Sequence, residues 1–257
     1  MTNQVQKTKS VANFLTMPST SKFLEETLSS RKSEFVSNLI AMCDDNAALA
    51  NCNPADLMKC AMNATSLNLP LNKNLGYAYV IPYGNKPSFQ IGYKGILQLA
   101  IRTGAYKYIN AVEVREGEIQ RNKFTGEVKF LGEFPENKIV GHIAYLQLLS
   151  GFSASLYMSE EDIEAHAMRF SKMYQSDKRY NSKKSKWSDP LARPKMALKT
   201  VLKGLIGTYG LMTTELEKAL ISDNEHAEQS VGQRTEEAEA EVITQEEPVK
   251  ETKTMKI

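Results

Sequence analysis

Between Gly76 and Gly104 the apolar period of the chain changes, and that change limits the folds open to it. Gly76-Tyr77-Ala78-Tyr79-Val80-Ile81 alternates with a period of two, as a half-buried strand does. The turn residues from Pro82 to Pro87 then send the chain back through Ser88-Phe89-Gln90-Ile91, which predicts a β-hairpin. After Gly92-Tyr93-Lys94-Gly95 the period becomes helical: Ile96, Leu97, Leu99, Ala100 and Ile101 are apolar, while Lys94, Gln98 and Arg102 recur every fourth residue. This pattern predicts a largely buried helix with one polar stripe, ended by Gly104. A hairpin feeding a buried helix needs other elements to cover it, so the expected class is α+β.

The flanks supply those elements. Phe23, Leu24 and Leu28, then Phe35, Leu39, Ile40 and Met42, fall at helical spacing. Asn53 and Pro54 form a capped helix start before the stripe Leu57, Met58, Ala61 and Met62. Downstream, Tyr106 to Arg115, Glu127 to Leu131, Lys138 to Leu149 and Phe152 to Met158 read as strands, and Ser159-Glu160-Glu161-Asp162 as a capping box opening a helix through about Tyr174. A chain of 257 residues, 42% hydrophobic, can hold one sizeable core. The expectation is a mostly antiparallel central sheet with a β-hairpin, packed by helices, over 19–221. A flexible segment over 1–18 and a disordered acidic tail over 222–257 flank it.

The overall charge of +2 conceals two opposed regions. Ser222 to Ile257 holds ten acidic and four basic residues, a net of −6, which leaves the body at +8. Between Ala165 and Lys203 stand eleven Lys or Arg against only Asp177 and Asp189. Such a density repels itself unless an anion sits opposite, and a phosphate backbone offers one at regular spacing. Residues 177–189 lack apolar periodicity and are expected to form a loop in which Lys183, Lys184 and Lys186 reach a flexible strand. Tyr174, Tyr180 and Trp187 are available there for stacking on bases. Arg193 to Tyr209 reads as a helix with Lys195, Lys199 and Lys203 four apart on one face, a track for consecutive phosphates. A solvated lysine face and a merely solubilising tail are the plainer alternatives.

Most catalytic chemistries lack their groups here. No Gly-Lys dipeptide occurs, so there is no P-loop, and there is no G-x-G-x-x-G. ATP is therefore not expected as a cofactor. Cys43, Cys52 and Cys60 lack zinc-type spacing and read as reduced core thiols; His142 alternates with apolar neighbours and reads as a core histidine. Glu127-Val128-Lys129 and Glu136-Asn137-Lys138 fit half of a metal-dependent nuclease site, but no aspartate lies between Asp56 and Asp162 to complete it. A nuclease and a basic protein-interaction module stay open as alternatives. Gly92-Tyr93-Lys94-Gly95 matches the backbone-clamping loop of KH domains, though a strand precedes it, so the glycines are expected to start the helix against the sheet while Tyr93 and Lys94 face nucleic acid. No signal-peptide run and no stretch of ~18 apolar residues is found, so a cytoplasmic protein without a membrane partner is expected.

The block from Leu67 to Lys86 (LNLPLNKNLGYAYVIPYGNK), its continuation from Gln90 to Gly104, Val114 to Glu118, and Lys195 to Lys203 (KMALKTVLK) resemble the RecT-type phage recombinases over roughly Ala55 to Met212. The resemblance implies a Rad52-like core and ATP-independent annealing of single-stranded DNA through a duplex intermediate. It also implies assembly into rings or helical filaments in the bacterial host cell, beside a 5′ to 3′ exonuclease and the host single-strand-binding protein. No cofactor is required on this reading, with magnesium left open as a modulator. Carried over by position, Lys73, Asn74, Tyr93, Arg102, Lys195, Lys199 and Lys203 line the DNA groove. Lys94, Lys107, Lys183, Lys184, Lys186 and Trp187 complete the candidate set.

Overall fold

The computed structural model describes residues 10–72, 74–221 and 223. The chain opens with helices: α1 (10–16), α2 (Pro18–Leu28), a 3₁₀ turn (Ser29–Arg31), α3 (Lys32–Asp45), α4 (Ala47–Ala50) and α5 (Pro54–Ser66). The start of α5 is the one its sequence specifies. Pro54 stands in the first turn, and the Asn53 side chain accepts hydrogen bonds from the amides of Ala55 (2.9 Å) and Asp56 (3.4 Å).

These helices build a core of their own, in which Val11, Leu15, Leu24, Phe35, Leu39 and Leu57 are buried. Of the segment expected to be flexible or only locally structured through residue 18, residues 10–16 form α1, and 1–9 lie outside the described residues. Val11 and Leu15 lie four apart on one helix face and fill this second core, a two-residue signal that the polar residues around them masked.

The main core lies around the hairpin and the sheet. β1 (Ala78–Tyr83) pairs antiparallel with β2 (Lys86–Ile91), and α6 (Tyr93–Arg102) follows. Three long strands, β3 (Tyr106–Arg115), β6 (Ile139–Leu148) and β7 (Ser153–Ser159), form an antiparallel sheet in the order β3-β6-β7, with Val112 opposite Ile143 and Ile143 opposite Tyr157. Between β3 and β6 the chain makes a small hairpin from β4 (Ile119–Arg121) and β5 (Val128–Phe130). The α+β class with antiparallel sheets packed by helices is thus observed.

Helices α7 (Glu160–Phe170), α8 (Lys172–Tyr180) and α9 (Arg193–Tyr209) come next, followed by α10 (214–221), and Asp223 is the last described residue. Ser159 and Asp162 form the expected capping box. The single helix expected through Tyr174 is broken at Ser171, whose hydroxyl instead caps α8 by accepting from the amide of Tyr174 at 3.2 Å. Ala197, Val201, Leu202, Leu205 and Ile206 of α9 are buried in the same core as Ala111, Ala144 and Leu146 of the sheet. Gly204 lets the helix approach closely, since a Cβ there would lie 2.7 Å from Leu156 Cδ2. Leu216, Ala219 and Leu220 anchor α10 in this core too.

His142 is buried on β6, with Nδ1 3.1 Å from Glu160 Oε1 but without hydrogen-bond geometry. Burial lowers its pKa below the ordinary histidine value. Cys43, Cys52 and Cys60 are free thiols; burial pushes those of Cys43 and Cys60 up to about 11. Among the described residues no helix is long and apolar enough to cross a membrane.

Candidate nucleic-acid interface

Lys195, Lys199 and Lys203 fall on successive turns of α9, yet their surroundings differ. Lys195 is exposed. Lys199 and Lys203 are sunk beside Asp223, one residue beyond the expected start of the acidic tail at 222. Lys199 Nζ donates to Asp223 Oδ1 at 2.9 Å and Lys203 Nζ donates to Oδ2. The side-chain exposures are 15%, 21% and 7% for Lys199, Lys203 and Asp223, so the pairing is largely withdrawn from water. Burial opposes ionisation of Asp223, but the two ammonium groups outweigh it and hold the carboxyl below its usual range. Burial likewise presses the Lys203 pKa down against the pull of Asp223. An open track of three lysines is therefore corrected to one exposed lysine and a two-lysine seat holding a carboxylate.

The charges of this seat are felt at His166 of α7 and at Tyr83 at the end of β1. Burial and the charges of Lys203, Arg169 and Lys199 lower the His166 pKa to about 4, so its ring is neutral at physiological pH. Burial raises the pKa of Tyr83; the amide of Gln90 donates to its hydroxyl at 2.9 Å, and the negative charge of Asp223 is felt there. The electrostatic influence of the seat thus reaches α7 and the β1–β2 hairpin. Sequence reasoning missed His166, Tyr83 and Asp223, because their proximity to α9 is tertiary and no local spacing encodes it.

The segment expected to be a flexible lysine loop is a compact knot around one carboxylate. Asp177, at the end of α8, is 4% exposed. It accepts hydrogen bonds from the Ser182 hydroxyl (2.5 Å), the Lys184 amide (3.0 Å), the Ser185 amide (2.7 Å) and the Ser188 hydroxyl (2.5 Å). Burial acts against its charge, but these donors prevail and hold its pKa well below the carboxylate range. The signal was in the sequence: Asp177 is followed by serines at 182, 185 and 188.

Trp187 was expected to stack on bases. It is 6% exposed, packed in the main core, with its ring centroid 6.3 Å from that of His166. The knot turns the indole inward and leaves Lys183, Lys184 and Lys186 exposed. Tyr174 is buried as well and donates its hydroxyl to Glu164 at 2.6 Å, whereas Tyr180 is 69% exposed. Two more cations of the basic segment are spoken for: Arg193 bonds Glu160 and Lys178 bonds Glu164, each at 2.8 Å.

In the upstream block, Gly92 and Gly95 are required by contact. A Cβ on Gly92 would lie 2.2 Å from the carbonyl oxygen of Gly76, and one on Gly95 would lie 2.1 Å from that of Tyr77. The glycines therefore seat the start of α6 against the entry to β1, as the strand before them suggested. Lys94 is exposed, its Cδ 3.7 Å from where a Cβ on Gly76 would sit, which brings it beside the turn that carries exposed Asn74.

Tyr93 is half-buried, and burial raises its pKa against a hydrogen bond with the Ala111 backbone. Arg102 is occupied structurally: its guanidinium donates to the carbonyls of Leu67 (2.8 Å) and Asn68 (2.9 Å), capping the end of α5. Lys107 is exposed on β3, its ammonium 5.4 Å from the Tyr108 ring centroid. Lys73 lies outside the described residues. Among the described residues no group of three or more His, Cys, Asp or Glu side chains is placed to hold a metal ion.

The model of the RecT family matches residues 33–244. A Bacillus subtilis (strain 168) protein, YqaK, is 36% identical over 253 residues, covering 98% of this chain and 84% of its own length. The Escherichia coli (strain K12) protein RecT is 30% identical over 128 residues, 46% of this chain and 48% of that one. The chain belongs to the RecT family, and so to the annealing proteins of DNA recombination.

Proposed function

We propose that the chain binds single-stranded DNA along the wall made by α9 and the Asp177 loop, and that it promotes the pairing of complementary strands without ATP. The observation that carries this reading is the two-lysine seat. Lys199 and Lys203 project from adjacent turns of one helix and close together on a single oxyanion group, a geometry that also suits the two non-bridging oxygens of a phosphodiester. Exposed Lys183, Lys184, Lys186 and Lys195 extend that positive surface on either side.

In such a mechanism the protein grips backbone and leaves bases free. Phosphate contacts carry no sequence information, so the complement is chosen by base pairing alone. No covalent bond changes, and neither ATP nor a metal is needed for chemistry; magnesium would act only by screening phosphates. Self-association into a ring or filament would repeat a modest contact along the strand and raise avidity. A cytoplasmic role beside a 5′ to 3′ exonuclease and a host single-strand-binding protein belongs to the same proposal.

The test is to mix complementary oligonucleotides with the protein in a buffer free of nucleotide. Duplex formation should be faster than without protein, and both strands should remain full length. Unchanged kinetics would remove the proposal, and shortened strands in the presence of magnesium or manganese would favour a nuclease.

A further inference from the structure

The two-lysine seat is already filled by a residue of the chain itself. We infer that Asp223 is a resident stand-in for a DNA phosphate, a latch that single-stranded DNA must displace to reach Lys199 and Lys203. This inference rests on the proposed DNA-binding role and adds regulation of the same site.

Three observations carry it. The carboxylate meets the lysines as a phosphodiester would, each oxygen taking one ammonium. The charges do not balance, because two ammonium groups face one carboxylate and His166 beside them is held neutral by its surroundings. Exchange of Asp223 for a phosphate therefore replaces one negative charge with another. Finally, Asp223 is among the few buried charged residues of the described chain, and desolvation offsets part of what the two ammonium groups contribute to holding it there.

The placement of Asp223 suits a latch. Leu216, Ala219 and Leu220 fix α10 in the main core, while Ile221 is 48% exposed. The end bearing Asp223 can leave the seat while the buried part of α10 stays docked.

Binding of full-length protein to fluorescent oligo(dT) tests the latch at fixed salt. Asp223→Asn should bind roughly five- to tenfold tighter than the unsubstituted chain. The same substitution made together with Lys199→Gln and Lys203→Gln should bring no gain over those two alone. Equal or weaker binding by Asp223→Asn, with melting unchanged and the parent chain binding normally, overturns the latch and leaves the DNA-binding reading standing. If neither protein binds oligo(dT), both fall together. Hydrogen exchange of the unsubstituted protein needs no variant: saturation with oligo(dT) should speed exchange in the segment 221–223, and unchanged or slower exchange there overturns the inference.

Discussion

Gly92 lies so close to Gly76 that any side chain on it would strike the carbonyl oxygen of Gly76, a Cβ standing only 2.2 Å away. The Gly92 amide also donates to the Tyr77 carbonyl at 2.8 Å, so the start of α6 is bonded directly to the strand entry. Gly92→Ala should therefore destabilise the fold by roughly 1 to 3 kcal/mol or more, as overpacking does. Urea denaturation measures it. A change within experimental error would mean that α6 does not rest on β1 in this way.

Trp187 is the sole tryptophan, which makes its environment directly readable. Its fluorescence should resist acrylamide quenching and should barely respond to oligo(dT). Trp187→Ala should cost about 3 to 5 kcal/mol of stability, as loss of a large core side chain does. Ready quenching that DNA relieves would return the indole to the surface.

Asp177 should organise the loop that presents Lys183, Lys184 and Lys186. Asp177→Asn should speed hydrogen exchange at the amides of Lys184 and Ser185. The pH dependence has a fixed sign. The folded pKa of Asp177 is depressed, so its contribution is complete above the unfolded value of about 4 and is lost as pH falls toward the lower folded value. A loop whose amide protection is unchanged by the substitution would contradict the knot.

His166 should titrate near pH 4 in the folded protein, followed by NMR of its imidazole protons. Its folded pKa lies below the unfolded value of about 6.5, so the unfolded state takes up the proton first and stability declines as pH falls from there toward 4. Lys203→Gln should raise the His166 pKa by removing a nearby positive charge. An ordinary histidine titration in the unsubstituted chain would separate His166 from the lysine seat.

Much of the fold was legible because it is local. The period switch at Gly76 marked the hairpin and α6, and alternation marked β3, β6 and β7. The capping residues Asn53 and Ser159 marked two helix starts. The site was less legible, since charge reports composition while exposure is decided by tertiary packing. Lys183 and Lys199 look alike in sequence, yet Lys183 is exposed and Lys199 faces a carboxylate 24 residues away. Trp187 and Arg102 suited DNA contact by type, but an indole stabilises more when buried, and a guanidinium fits the open carbonyls at a helix end.

On the proposed DNA-binding reading, exposed Lys183, Lys184, Lys186 and Lys195 contact DNA phosphates on either side of the two-lysine seat. That contact is tested most directly by the salt dependence of oligo(dT) affinity, compared between the unsubstituted chain and a variant with Lys183, Lys184, Lys186 and Lys195 all changed to Gln. The slope of log affinity against log salt should become shallower by about 0.7 for each phosphate contact removed. An unchanged slope in a folded variant would place the DNA elsewhere on the protein.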